Sequence, residues 1–187
     1  MPERRSTHTV PQPAVDRMVP LAGHPVVVGV TPSQPELVVR TAVLWATACG
    51  TSALYCAYAD PSRFAREERP DGTVVHDAVD PDGADDAWQE REHLLREHLA
   101  AVLDPAGVSW HFRYLAGRAD RALTHLARAV DAAGFVVGTR VPGTGARVRE
   151  VLEGSVAVRL SHHQHRPVLV VPLQVVDWSA ARLDRAG

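Results

Sequence analysis

Short runs rich in valine, tyrosine and other strand-forming residues recur along the chain, and they restrict its fold more than any other feature. The run Val-Val-Val-Gly-Val after Pro25 shows no alternation with polar residues, so a strand formed by it must be buried on both faces. Strands of that kind belong to parallel sheets covered by helices. The predicted strands span residues 26–31, 52–60, 108–115, 135–138 and 167–171.

Segments with helical periodicity separate these strands. Ser33, three residues before Glu36, predicts the start of a helix, and Gly50 predicts its end. The residues of this helix that we expect to face the core are Leu37, Leu44, Trp45 and Ala48. Further helices are predicted from residue 85, after Gly117 and from residue 147. The alternating order predicts an α/β fold, in which helices cover both faces of a five-stranded parallel sheet in a Rossmann-like three-layer sandwich.

The remaining segments indicate how the chain is divided. Residues 1–24 contain four prolines and no apolar periodicity, which predicts a flexible N-terminal tail before a single domain at 25–172. Residues 173–187 are predicted to form a C-terminal extension. Nine acidic residues with repeated prolines and glycines predict a long, mobile acidic loop at 60–86, and we hypothesise that this loop is a lid over the strand ends.

The charged residues exclude several functions. All twenty basic residues are arginine, so chemistry that needs a lysine ammonium group, such as a Walker A phosphate loop, is excluded. A net charge of −2 without a basic, aromatic-rich stripe argues against a nucleic-acid partner. No apolar stretch approaches the roughly 18 residues of a membrane span, and no signal-peptide core is present. We therefore expect a cytoplasmic protein without membrane contact.

A glycine- and arginine-rich segment, residues 136–155, follows the fourth predicted strand. In open parallel sheets, ligands bind beyond the carboxyl ends of the strands where the strand order switches. This rule places function at Thr31, at Tyr58–Asp60 and after Gly138. Glycines let backbone N–H groups approach a phosphate, and residues 139–166 carry five arginines against two glutamates. We predict an anion site there. A turn that serves tight packing alone is the open alternative.

His162, His163 and His165 form the candidate metal cluster of this chain. Adjacent helix positions point about 100° apart, so His162 and His163 are poorly placed to share one ion. Histidines at a helix C-terminus are explained as well by their interaction with the helix dipole. The acidic residues at 60–86 lack the spacing of a calcium loop, and Ser155 lacks the sequence of a nucleophile elbow. We predict no metal site and no catalytic residues.

Over about residues 25–172 the chain resembles the universal stress protein family. The resemblance is carried by the first strand and helix (26–50), by Gly117-Arg118-Ala119-Asp120, and by Gly154-Ser155-Val156 followed by 167–171. It implies a fold like that of the adenine nucleotide alpha hydrolases, with ATP, with or without Mg²⁺, as ligand. It also implies a role in stress response or signalling, at most weak ATP hydrolysis, and a homodimer formed through the last strand, Val168–Leu173.

The resemblance also assigns nucleotide-binding residues. Around the base it implies Gly29, Val30, Thr31 and Tyr58. Around the ribose and phosphates it implies Val137, Gly138, Arg140, Gly143, Thr144, Gly145, Gly154, Ser155 and Val156.

Three features depart from the family's nucleotide-binding pattern. Thr31 stands where an aspartate commonly faces the adenine, and Tyr58 is bulkier than the residue usual beside the base. The segment from Gly138 to Gly154 is three residues longer than the pattern and has Val141 in place of its middle glycine. A second hypothesis therefore stays open, in which the same fold is a nucleotide-free homodimeric interaction module with a degenerate ATP site.

Overall fold

The computed structural model describes residues 14–80, 87–139 and 156–173. Its strands are β1 (Val26–Gly29), β2 (Leu54–Asp60), β3 (Arg63–Glu68), β4 (Val74–Ala78), β5 (Trp110–Ala116), β6 (Gly134–Gly138) and β7 (Val168–Val171). Five of them form one parallel sheet in the order β5-β2-β1-β6-β7. The sheet predicted from the sequence is confirmed.

Four α-helices lie among the described residues: α1 (Leu37–Cys49), α2 (Ala87–Leu103), α3 (Ala119–Ala129) and α4 (Val156–His163). The first two cover one face of the sheet, and the last two cover the other. This is the predicted three-layer arrangement. None of these helices has the length and apolar character needed to cross a membrane.

The central strand β1 is covered on both faces of the sheet. Val26, Val27 and Val28 have no exposed surface. Val26 and Val28 belong to the core under α1 and α2, whereas Val27 belongs to the core under α3 and α4. Burial of each valine side chain contributes roughly 1.5–3 kcal/mol, so this strand holds the two layers together.

The first helix differs from the prediction in its start and in its buried face. Ser33 does not cap it; the residue before the helix is Glu36, which makes no capping side-chain bond, and Ser33 adopts a positive φ of 60°. The buried residues of α1 are Val38, Val39, Ala42 and Ala46, whereas Leu44 is 72% exposed and Leu37 is 50% exposed. The helix carries apolar residues all round, so periodicity alone could not identify the inner face.

A β-hairpin occupies most of the segment that was expected to be a mobile acidic loop, so that expectation is wrong for residues 63–78. Strands β3 and β4 pair antiparallel, with an irregularity between Ala65 and Glu67. Gly72, at the turn, has a φ of 78° that favours glycine. Residues 81–86 lie outside the described part of the chain.

The hairpin packs against the outer strand β5 and against α3. Both guanidinium Nε and Nη2 of Arg113 donate to the backbone oxygen of Asp71, at 3.3 and 3.1 Å. A Cβ at Gly72 would lie 2.4 Å from Leu126 of α3. These contacts place residues 63–78 along the β5 side of the sheet and not across the ends of β1 and β6, which contradicts the lid hypothesis for this part of the segment.

Asp60, the last residue of β2, anchors the start of the hairpin and is nearly fully buried. One carboxylate oxygen accepts bonds from the Ser62 backbone N–H at 2.9 Å and from its hydroxyl at 2.6 Å. The other accepts from the Tyr114 hydroxyl at 2.5 Å and from Arg91 Nη1 at 2.8 Å. Burial alone would raise the pKa of Asp60, but these hydrogen bonds and the Arg91 charge outweigh it and lower the pKa.

Replacing Asp60 with asparagine is therefore expected to destabilise the protein by about 2–4 kcal/mol, because it removes a buried negative charge that faces Arg91. The measurement is urea unfolding at pH 7. The matched control, Glu36→Gln, removes one carboxylate from the exposed pair with Arg40 and should change stability by less than about 0.5 kcal/mol. Equal losses of stability in the two variants would show that the buried ion pair stabilises the protein no more than the exposed one.

The pH dependence of the same variant gives a second readout. Because the folded-state pKa of Asp60 is lowered, its stabilising contribution is present above the unfolded pKa, near about 4, and is lost as the pH falls through the folded value. The stability difference between the wild type and Asp60→Asn should therefore narrow below about pH 4. A difference that stays constant from pH 7 to 3 would contradict this origin.

Candidate functional site

The switch point of the sheet lies between β1 and β6. From β1 the chain proceeds to β2 on one side, and it later returns to β6 on the other side. Gly29 pairs in register with Ala57 of β2 and with Val137 of β6. The next residues, Val30, Tyr58 and Gly138, therefore lie side by side at the carboxyl edge. The structure brings together the predicted residues of these three strands.

A tight turn follows β1 at this edge. Thr31 is exposed, and its backbone N–H donates to Oε1 of Gln34 at 3.1 Å. The Gln34 N–H donates back to the Thr31 carbonyl at 3.2 Å. The positive φ of Ser33 allows this reversal. The Gln34 side chain is thereby folded back towards the sheet, and its amide oxygen faces the Thr31 N–H.

Gly138 lies beneath the folded-back Gln34. A Cβ at position 138 would be 2.7 Å from Gln34 Nε2, 2.9 Å from Leu173 and 3.0 Å from Val38. Only glycine fits this position without displacing neighbours. Gln34 was not among the residues predicted from the sequence, although a polar side chain three residues beyond a strand end is placed to fold back over that end.

Thr139 joins the ends of β6 and β7. Its N–H donates to the carbonyl of Val171 at 2.9 Å, and its hydroxyl accepts from the N–H of Leu173 at 2.9 Å. The direction in which the chain leaves the sheet after Gly138 is therefore fixed by two hydrogen bonds.

The side chains of three predicted site residues serve in packing. Val30 and Val137 are buried, on opposite faces of the sheet, and the Val137 methyl lies 3.1 Å from where Gly29 would carry a Cβ. Tyr58 is half-buried on the α1 and α2 side, and its ring meets that of Tyr114 edge to face at 5.4 Å. Gly29 and Val30 line the edge through backbone, whereas Tyr58 presents an aromatic side chain.

The remaining predicted residues follow the sheet edge in the chain. Val156 is the first residue of α4 and packs against the α3 and α4 core. The others lie outside the described residues: Arg140, Gly143, Thr144, Gly145, Gly154 and Ser155.

Two buried carboxylates among the described residues, Asp60 and Asp120, form structural bonds. Both carboxylate oxygens of Asp60 accept hydrogen bonds from protein groups. Asp120, at the start of α3, pairs with Arg118 at 2.8 Å. Across residues 14–80, 87–139 and 156–173, no group of three or more histidine, cysteine or acidic side chains could hold a metal ion.

Comparison with models of protein families matches residues 23–172 to the one described as "Universal stress protein family". The universal stress protein from Archaeoglobus fulgidus is 20% identical, with a TM-score of 0.58 over 79% of this chain and 98% of that chain. The universal stress protein from Archaeoglobus fulgidus in complex with dAMP is 19% identical, with a TM-score of 0.55 over 79% and 97%.

A universal stress protein in complex with cAMP is 22% identical, with a TM-score of 0.55 over 82% of this chain and 99% of that chain. At these identities the likeness shows a shared fold. Comparison with curated protein sequences found no significant match.

Gly138→Ala is expected to cost about 1–2 kcal/mol of stability, because the added methyl must displace Gln34, Leu173 and Val38. Removing the Gln34 side chain should make room for it. We therefore expect Gly138→Ala to cost at least about 0.5 kcal/mol less in a Gln34→Ala background than in the wild type, as measured by a double-mutant cycle in urea. Strictly additive effects would show that Gln34 does not restrict this position.

Proposed function

The chain belongs to the universal stress protein family, and on that premise we propose that it binds an adenine nucleotide at the carboxyl edge of β2, β1 and β6. The observation that carries the proposal is the register of these strands, which aligns Val30, Tyr58 and Gly138 at the switch point. The dAMP and cAMP complexes of similarly folded proteins support an adenine base as ligand.

We propose ATP as the nucleotide, with Mg²⁺ as its counter-ion. The base would lie against Thr31 and Tyr58, and the phosphates would meet the backbone amides and arginines of residues 138–155. Arg140, Gly143, Thr144, Gly145, Gly154 and Ser155 are assigned to the phosphates and ribose from the sequence pattern. The family supports a role in which nucleotide occupancy signals stress, in the cytoplasm and without catalysis.

Isothermal titration calorimetry with ATP and Mg²⁺ tests the proposal on the full chain. We expect saturable heat with a dissociation constant below about 1 mM. Arg140→Ala should lower the affinity for ATP at least fivefold and the affinity for adenosine by less than twofold, because only ATP carries the phosphates that the guanidinium would pair with. Arg69→Ala, an exposed arginine of the hairpin turn, is the matched control and should change neither affinity. Absence of heat at millimolar ATP would remove the proposal.

Base recognition is tested by restoring the acid that the family resemblance implies. Thr31→Asp should strengthen ATP binding about tenfold, since a carboxylate accepts a stronger hydrogen bond from the adenine amino group than a hydroxyl does. The affinity for GTP should not increase, because guanine carries a carbonyl where adenine carries the amino group. Thr47→Asp places the same charge on the exposed face of α1 and is the control. An equal gain for ATP and GTP would place the base elsewhere.

A second candidate function, a nucleotide-free homodimeric interaction module, is supported by β7. This strand lies at the end of the described sheet, and its Val170 is 40% exposed. Pairing of two copies through residues 168–173 would cover it. Val170→Asp should convert a dimer to a monomer in sizing chromatography with light scattering, while Val79→Asp, at an exposed valine of the hairpin side, should not. A monomeric wild type would exclude this assembly.

A further inference from the structure

A groove of about 620 Å³ runs along the outer edge of β5, between the hairpin and α2. Its walls come from three elements. Strand β5 contributes the aromatic side chains of Trp110, Phe112 and Tyr114, β4 contributes His76, and α2 contributes a stripe of residues four positions apart that begins at Trp88. The volume lies within the range of about 300–1,000 Å³ that is usual for small-molecule sites.

Hydrogen bonds hold the aromatic walls of this groove in place. The Tyr114 hydroxyl lies between Asp60 and Arg91, at 2.5 and 2.9 Å. The indole N–H of Trp110 donates to Asp104 at 2.8 Å. Aromatic side chains fixed in this way lose little conformational entropy when a ligand binds.

Trp88 is held from two sides. Its ring meets that of His76 edge to face at 4.7 Å, and the Arg63 guanidinium lies 5.2 Å from the Trp88 ring centre. Arg63 Nε donates to His76 Nδ1 at 2.6 Å, which requires that nitrogen to be unprotonated. Burial, followed by the Arg63 charge, lowers the pKa of His76 and so favours this neutral form.

Charged groups of both signs lie at the groove. Arg96 lies over the Phe112 ring at 5.3 Å and donates to Glu92 at 2.8 Å, so its guanidinium is held across the aromatic floor. Arg113 also lines the groove, and its guanidinium donates to the backbone oxygens of Asp71 and Phe112. Two carboxylates, Glu92 and Asp104, bond Arg96 and the Trp110 indole. Arg96 is therefore the cation beside the aromatic side chains, and its planar guanidinium can pair with a ligand carboxylate.

We propose that this groove binds a small planar aromatic anion, of the aromatic carboxylate class. The ring would lie between Trp88 and Trp110, beside the Arg96 guanidinium that covers Phe112, and the carboxylate would pair with Arg96. An extended peptide added to β5 fits less well, because the outward carbonyl of Phe112 already accepts a bond from the Arg113 side chain at 3.1 Å. The carboxyl edge of β2, β1 and β6 is not part of this groove, so the proposal does not depend on ATP binding.

Titration of the full chain with 2-naphthoate, without nucleotide, tests the proposal by NMR of the tryptophan indole N–H groups. The resonances of Trp88 and Trp110, assigned with Phe substitutions, should shift with saturation below about 1 mM. Trp45 should not shift, because it packs near Gly134 of β6, which lies three strands away from β5 in the sheet. The neutral 2-naphthamide should bind at least fivefold more weakly. Equal affinity for acid and amide, or unshifted Trp88 and Trp110, would overturn the proposal.

Neighbouring alanines of α2 offer a matched pair of variants. Ala100 lines the groove, whereas Ala101 is exposed on the adjacent helix position. Ala100→Leu should lower the affinity for 2-naphthoate at least tenfold by filling the groove, while Ala101→Leu should change this affinity by less than twofold. Arg96→Gln should lower the affinity for 2-naphthoate at least fivefold and leave the affinity for 2-naphthamide unchanged. If both leucine variants bind like the wild type, the ligand does not occupy this groove, and the proposal fails.

Discussion

Burial of β1 on both faces is the constraint on which the rest of this structure depends. A strand without exposed surface at Val26–Val28 can exist only if helices cover both sides of the sheet. Right-handed crossovers on both sides then require the chain to reverse its direction of growth across the sheet, and this reversal creates the switch point. The position of the candidate nucleotide site is therefore a consequence of the core, and the chemistry of the site depends on the residues beyond it.

Close packing at the carboxyl edge restricts what can enter it. Gly138 is tight against Gln34, Leu173 and Val38, so a ligand reaches this part of the edge by displacing or using the Gln34 amide. One lone pair of Gln34 Oε1 accepts the Thr31 N–H, and the Nε2 group of the same side chain carries two N–H donors. A donor group at the switch point is compatible with an anionic or carbonyl-bearing ligand.

The sequence was sufficient for the sheet but not for the elements that depend on long-range contacts. Continuous apolar runs identified the buried strands, and the predicted five-stranded parallel sheet followed from them. The buried face of α1 could not be predicted, because Leu37 and Leu44 repeat at the same helical spacing as the residues that are buried. The hairpin at 63–78 was missed because β3 is mostly polar and exposed, and because the hairpin depends on long-range contacts of Asp60 with Arg91 and of Asp71 with Arg113 of β5.

The candidate site divides in the same way. The register of three strands places Gly29, Val30, Tyr58 and Gly138 together at the carboxyl edge, which is where the switch-point rule placed a site. Gln34 was missed because its role depends on a side chain that folds back, and a sequence pattern does not encode that geometry. The groove at the lateral edge of the sheet also depends on long-range contacts of the hairpin that a sequence pattern does not encode. By lying along β5 beside α2, the hairpin converts an open strand edge into a walled groove with aromatic and cationic sides.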